Sequence, residues 1–461
     1  MRLPHHDPDT MSSVEHSLFA LKHEGLSLPI LCELFTTVKR AEMERELTRS
    51  VQATPTGQYH RRLWYLYEWM TGRTLRLPAT TLATYIPLLD PDEYYTGAET
   101  RHPRQRIIDN LPGNREFCPL VRKSAVLAAR TSSALRMRVD AIVDSYDAAL
   151  LARAISFIYT KETRSSFAIE REIPTASRAE KFAAALAHAS ELDDLSERAL
   201  TSIQNRIVDP RFAEDGFRSV QNYVGESVGL HRQLVHYVPP KPSDLGALMS
   251  GWRRSAAAHS RHVSDGVVWA AMISFAFVFL HPFEDGNGRL HRYLMHTMLG
   301  REGVTPPGVI IPVSAVMLAR RVEYDGCLEA FSRPLMDLVE YDLDDRGYLT
   351  VENDTARYYR YFDATPMAEA LYGWLEQAIE HELRDELMFL AGFGKARTAM
   401  REIVDLPDRL AELFIKLVLA NGGRLGKKRR PQFAALTDDE IAELETVVRE
   451  HLGKTTASAR S

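Results

Sequence analysis

The sequence predicts a mainly α-helical fold, and three observations carry that prediction. An apolar run from Val267 to Leu280 passes into a helical pattern of Leu290, Tyr293, Leu294 and Met298. Ala-rich stretches at 146–157 lead toward Ser177-x-x-Glu180, a capping box that predicts a helix through Ala189. Thr365-Pro366 reads as the cap of a long amphipathic helix with Leu371, Leu375, Ile379 and Leu383 on one face.

Taken in order, three regions emerge. Residues 1–130 read as an accessory domain. In it the segment Arg61–Met70 sets aromatics at helical spacing, a core pattern, before a loop-rich stretch with Pro112-Gly113 and Cys118-Pro119. Residues 131–345 read as a helical core that includes Trp252. Within it, Phe217–Gly225 and Val235–Pro240 mix β-branched and aromatic residues with turn formers, which predicts a short β-hairpin. Residues 346–461 read as a C-terminal helical domain, either all-helical or winged-helix-like. Its basic loop, Arg424 to Arg430, precedes a helix from Thr437 to Leu452, and Lys454–Ser461 read as a frayed end.

Composition narrows the classes. A chain of 461 residues with 45% hydrophobic and 26% charged side chains has the balance of a soluble globular protein with more than one core. A net charge of −5 gives no general attraction to nucleic acid or anionic lipid. Cys32, Cys118 and Cys327 match no metal spacing and fit a reducing cytoplasm. Met1–Pro8 lacks the apolar stretch of a signal peptide, and the 267–280 run is too short to span a membrane.

The chemistry concentrates in His281-Pro282-Phe283-Glu284-Asp285-Gly286-Asn287-Gly288-Arg289-Leu290-His291-Arg292. His281 has the ordinary pKa of a base at neutral pH, and Asp285 offers a hard oxygen. Gly286, Asn287 and Gly288 can present backbone N–H groups at a helix start, where anions are favoured. Arg289 and Arg292, three apart, share a helix face. The segment resembles the signature of the Fic family, His-x-Phe-x-(Asp/Glu)-Gly-Asn-Gly-Arg-x-x-Arg, at every fixed position, and the resemblance extends over about 159–324. It implies a Fic-type helical core that transfers AMP from ATP to a Ser, Thr or Tyr hydroxyl of a protein, itself included. It further implies His281 as general base, Asp285 as the Mg²⁺ (or Mn²⁺) ligand, and Gly286, Asn287 (side chain included) and Gly288 as phosphate donors. Arg289 would hold the β-phosphate and Arg292 the γ-phosphate. Pro282 and Phe283 read as structural, Glu284 receives no role, and His291 and His296 read as ordinary helix residues.

Fic proteins often carry an inhibitory (Ser/Thr)-x-x-x-Glu-(Gly/Asn) motif before the core, and Ser166 and Glu170 resemble it. Arg171 departs from the Gly or Asn that usually follows. The resemblance implies that Glu170 pairs with Arg292 and blocks the γ-phosphate. It also makes the hairpin a flap, with Tyr223, Val224 and Tyr237 as candidate residues that clamp the target. Two other readings stand beside AMP transfer. The same site, with Glu170 aligning water, could remove AMP from a modified protein. Alternatively, the chain is a DNA-binding regulator acting through Lys427, Lys428, Arg429 and Arg430, although a basic loop is more often simply solvated. Homo-oligomerisation stays open, and no membrane partner is expected.

Overall fold

The computed structural model describes residues 11–81, 83–228, 233–257 and 265–453. The expectations for Met1–Pro8 and Lys454–Ser461 lie outside these residues. The N-terminal unit contains helices α1 (Ser13–His23), α2 (Leu28–Thr37), α3 (Arg40–Ala53) and α4 (Gln58–Thr71). A small sheet follows, of β1 (Ile86–Pro87), β2 (Thr100–His102) and β3 (Ile107–Asp109), in the order β1-β3-β2. The aromatic segment forms α4, and its Leu63, Trp64 and Leu66 are fully buried in a cluster with Leu28, Leu47 and Ile107. Helical spacing thus located this core correctly.

The central part runs through α5 (Ala125–Ala128), α6 (Ser132–Val143), α7 (Ala148–Ile169), α8 (Ala176–Ala187) and α9 (Glu197–Ile207). Strands β4 (Val224–Ser227) and β5 (Gln233–Tyr237) pair antiparallel. Then come α10 (Pro242–Ala257), α11 (Gly266–Leu280), α12 (Asn287–Arg301), α13 (Val313–Ala319) and α14 (Arg321–Met336). Helix α11 is apolar on every side because it lies at the centre of the molecule; of its residues only Val278 is not fully buried. Asp265 caps it by accepting from Val267 N at 3.0 Å and Val268 N at 3.1 Å. The same carboxylate accepts from Ser132 N and from the Tyr372 hydroxyl, which ties α6 and the C-terminal region to the start of α11.

A second hairpin, β6 (Tyr341–Leu343) with β7 (Leu349–Val351), precedes α15 (Thr365–Gln377), α16 (Arg384–Ile403), α17 (Asp408–Ala420) and α18 (Asp438–Leu452). Leu371, Leu375, Ile379 and Leu383 are all buried in the central cluster, as their common face predicts. From Ala396 onward the apolar residues form a separate cluster around Phe414, Ile415, Leu444 and Val448. Among the described residues no helix is long and apolar enough to cross a membrane.

Four local expectations need correction. Thr175, not Ser177, caps α8, because its hydroxyl reaches Arg178 N at 3.3 Å; the helix stops at Ala187 and a 3-10 turn, Ala189–Glu191, follows. Residues 217–223 are irregular, and strand pairing starts only at Val224. Ala364 is the N-cap of α15 and uses no side-chain bond; Thr365 and Pro366 are its first turn, and a π-helical turn, Ala378–Leu383, joins it to α16. From Thr365 onward the described residues contain no strand, so this part is helical and has no wing. Its basic segment coils into a 3-10 turn, Lys427–Phe433. There Arg430 is consumed by the Phe433 and Leu436 carbonyls and by Asp438.

Candidate active site

Helix α11 ends on His281, whose left-handed backbone (φ 48°, ψ 57°) turns the chain sharply. Histidine tolerates this region better than most residues. The turn is clasped by Arg218, a residue that no motif or spacing singled out. Its N–H donates to the Pro282 carbonyl at 2.8 Å and its Nε to the His281 carbonyl at 2.9 Å, while the rest of its guanidinium bonds Val220 and Pro240. Phe283 is fully buried against Phe217 and Phe277, the anchoring role expected of it. The Asn287 side chain closes the loop on itself: Phe283 N donates to its Oδ1 at 3.0 Å, and its Nδ2 donates to the Phe283 carbonyl at 2.7 Å. The side chain expected as a phosphate donor thus spends one Nδ2 N–H on its own loop, while the Asn287 backbone N–H precedes the ladder of the next helix.

His281 Nδ1 lies 3.3 Å from the Val278 carbonyl. A carbonyl can only accept, so the neutral ring carries its proton on Nδ1 and keeps the Nε2 lone pair free. Burial, reinforced by the Arg218 guanidinium, lowers the pKa to about 4. The ring is therefore neutral at neutral pH. His291 is also neutral, lowered to about 3 by burial, and its Nδ1 bonds the Ser274 carbonyl at 2.7 Å inside the core, the structural place expected for it.

Gly286 begins α12 with φ 89°, and no side chain caps this N-terminus. The first described bond within the helix is from Leu290 N to Gly286 O at 2.9 Å, so the N–H groups of Asn287, Gly288 and Arg289 precede the internal ladder. They border a groove of about 880 Å³ between the β4–β5 hairpin and α14. The groove is also lined by His281, Asp285, Tyr223, Val224 and Tyr237. Tyr237 is less free than a clamp residue: it is buried and its hydroxyl bonds the Phe279 carbonyl.

Facing this helix start is the end of α7. Arg292 is fully buried and donates from Nε to Ser166 Oγ at 2.8 Å, and from Nη2 to the Ser166 carbonyl at 2.8 Å and to Glu170 Oε1 at 2.7 Å. Burial works against the Glu170 charge, but Arg292, Arg289 and Arg321 outweigh it and hold the carboxyl below its usual pKa. The carboxylate lies so close to Gly288 that a Cβ there would collide with it. The sequence-derived pair of Ser166 and Glu170 thus meets Arg292, and Glu170 sits over the helix N-terminus.

Arg171 adopts φ 58°; its N–H bonds the Ala168 carbonyl at 2.9 Å, and Glu172 N bonds the Phe167 carbonyl at 3.1 Å. This is a Schellman turn, which requires a left-handed residue at that point. The turn brings in a residue absent from the sequence reading, Glu172, at 2.5 Å from Arg289 Nη1. Arg289 Nη2 in turn holds Asp285 Oδ1 at 2.7 Å. Both signature arginines are therefore paired with carboxylates from the end of one helix. Only knowledge of the αL turn could have found Glu172, since no spacing rule links it to Arg289.

Residues 194–299 match the profile of the Fic/DOC family. The protein adenylyltransferase Fic of Culex quinquefasciatus is 36% identical over 163 residues, which are 33% of this chain and 29% of that protein. Its namesake in Drosophila melanogaster is 34% identical over 158 residues, again 33% and 29% of the two chains. The chain thus spans less than a third of the length of these curated relatives. Among solved structures, a Fic family protein from Desulfovibrio desulfuricans G20 aligns over 70% of this chain and 83% of its own, with TM-score 0.36 and 18% identity. A Fic domain containing signaling protein from Bacteroides thetaiotaomicron aligns over 55% and 95%, with TM-score 0.39 and 17% identity.

Proposed function

We propose, from the premise that residues 194–299 carry a Fic/DOC-family domain, that this protein transfers AMP from ATP to a protein hydroxyl and that Glu170 restrains it. The observation that carries this reading is the Glu170 carboxylate itself. It is an anion held where a helix N-terminus and Arg292 converge, the place a polyphosphate would need. In the reaction a Ser, Thr or Tyr oxygen bonds to the α-phosphorus of ATP. The bond from that phosphorus to the pyrophosphate oxygen breaks, and pyrophosphate leaves with the electron pair. His281 Nε2 takes the hydroxyl proton. The N–H groups of Asn287 and Gly288, with Arg289, face the charge on the phosphates, while the Gly286 N–H is taken by Asp285 Oδ1 at 2.6 Å; Arg292 receives the γ-phosphate once Glu170 has left it.

Asp285 suits Mg²⁺ or Mn²⁺: it is a hard oxygen donor, 46% exposed, on the rim of the groove. Such an ion needs few protein ligands when phosphates supply the rest, and it would withdraw charge from them. The flap, by its position, would pair with an extended target segment through Val224 and its neighbours. In this proposal residues 1–130 and 346–461 flank a core of 131–345, and the protein works in the cytoplasm on ATP and a protein target. A second reading, removal of AMP, draws on the ionised and partly exposed Glu170 as a residue that aligns water.

The test incubates wild type, Glu170→Gly and Glu170→Gly/His281→Ala with Mg-ATP and records intact masses. We expect an AMP adduct that grows about tenfold or more faster in Glu170→Gly, the size of a typical coupling between sites. Loss of His281 should lower the rate by about 100-fold or more, as for a general base. Equal adducts in wild type and Glu170→Gly would remove the restraint. If a pre-modified protein loses AMP only with Glu170 present, the second reading replaces the first.

A further inference from the structure

Among the described residues of the site, Glu172 is the carboxylate that pairs with two arginines. Besides Arg289 it binds Arg178, which is only 11% exposed and is itself fixed. Arg178 donates to the Ile207 carbonyl from Nε at 3.3 Å and from Nη2 at 3.0 Å. Arg178 and Arg289 each lie 5.2 Å from the ring of Phe167, a buried residue of α7. Charge-assisted bonds of this kind, partly shielded from water, are stronger than surface pairs. The segment after α7 is therefore moored on one side to α8 and α9 and on the other to α12. Glu170 belongs to the same turn, two residues earlier, and its side chain bonds one arginine, Arg292, where Glu172 bonds two.

We propose that Glu172 is the positioning residue of the restraint: by mooring the turn to Arg178 and Arg289, it keeps the Glu170 carboxylate over Gly288. This rests on the reading that Glu170 restrains nucleotide binding. Glu172 acts through Glu170 and does not block the phosphates by itself. Releasing the mooring frees the turn, and Glu170 then yields to the γ-phosphate more easily.

The experiment compares wild type, Glu172→Gln, Glu170→Gly and the double variant, with Mg-ATP affinity by calorimetry and AMP incorporation by mass. Glutamine preserves shape, and thermal melts confirm folding. Arg178→Lys, which keeps the charge but loses the fork on Ile207, serves as the second variant. We expect Glu172→Gln and Arg178→Lys to tighten ATP about fivefold in an otherwise wild-type chain, the low end of typical coupling, and to raise incorporation in parallel. In the Glu170→Gly background neither should change the affinity. An equal effect in both backgrounds, or none in wild type, would overturn the proposal. So would a Glu170→Gly chain that binds ATP no more tightly than wild type. Should Glu170→Gly bind tighter while no variant transfers AMP, the transfer reading fails and the affinities still decide the role of Glu172.

Discussion

Arg171 occupies a left-handed backbone at φ 58° with a long β-carbon-bearing side chain. The resemblance to the Fic motif implies Gly or Asn here, and the Schellman turn gives the physical reason: those residues enter this region most cheaply. An L-residue there costs about 1–2 kcal/mol, and glycine gives back about half of that through its freer unfolded chain. Arg171→Gly should therefore stabilise the protein by about 0.5–1 kcal/mol in urea denaturation, and it should slow AMP incorporation by tightening the turn. A faster rate would mean that the arginine side chain, not the backbone, sets the turn. At this scale the sequence was readable where spacing along one helix decides. Ser166 and Glu170, singled out by spacing alone, do meet Arg292. The loop bonds of Asn287 and the pairing of Glu172 were missed because their partners are chosen by loop geometry, which no spacing encodes.

Between elements, α7 and α12 meet along a polar ladder. Glu162, Ser166 and Glu170 recur every fourth residue on one, and Gly288, Arg292 and His296 on the other. At the inner rung Glu162 bonds His296 Nε2 at 2.8 Å and Ser314 N at 2.9 Å, and also accepts from the Ser314 hydroxyl; all three residues are buried. Unlike the outer rungs, this one has no access to a ligand, so its work is to fix the two helices against each other. Glu162→Ala should cost about 3 kcal/mol, because it leaves buried donors without an acceptor. Equilibrium unfolding in urea measures this, and a loss below about 1 kcal/mol would assign the helix register to apolar packing instead. His296 was expected to be an ordinary helix residue, and it is structural, yet its partner is a carboxylate and not the core. Apolar spacing made helices such as α4, α11, α12 and α15 legible. Helix ends were not: Thr175 and Ser177 are equally good caps on paper, and only the entering backbone decides between them.

Among the described residues the apolar side chains divide into three clusters: one around α4, one around α11 and one from Ala396 onward. The last is small and holds α17 and α18 to the far half of α16. Phe414 is fully buried in it against Phe433, with ring centroids 5.2 Å apart. Phe414→Ala should cost about 4 kcal/mol of that unit's stability. Calorimetry should show a C-terminal transition displaced to lower temperature, with the central transition and ATP affinity unchanged. A single transition that moves as one would show that the clusters unfold together. The sequence announced helices in this region but not which core each joins, because α15 and α18 look alike as amphipathic patterns.

Helix α7 also has a mechanical property. It is a rod of 22 residues, about 33 Å long, with no proline or glycine to absorb bending. Its first turns lie beside Leu390, Gly394 and Thr398 of α16, and Lys161 pairs with Glu382 just before that helix. Its last turn carries Glu170. A rod of this stiffness passes an axial displacement from one end to the other almost undiminished. The bond from Glu170 to Arg292 is 2.7 Å long, and a hydrogen bond is gone by about 3.6 Å. The tolerance of the latch is thus less than one residue's rise along the helix.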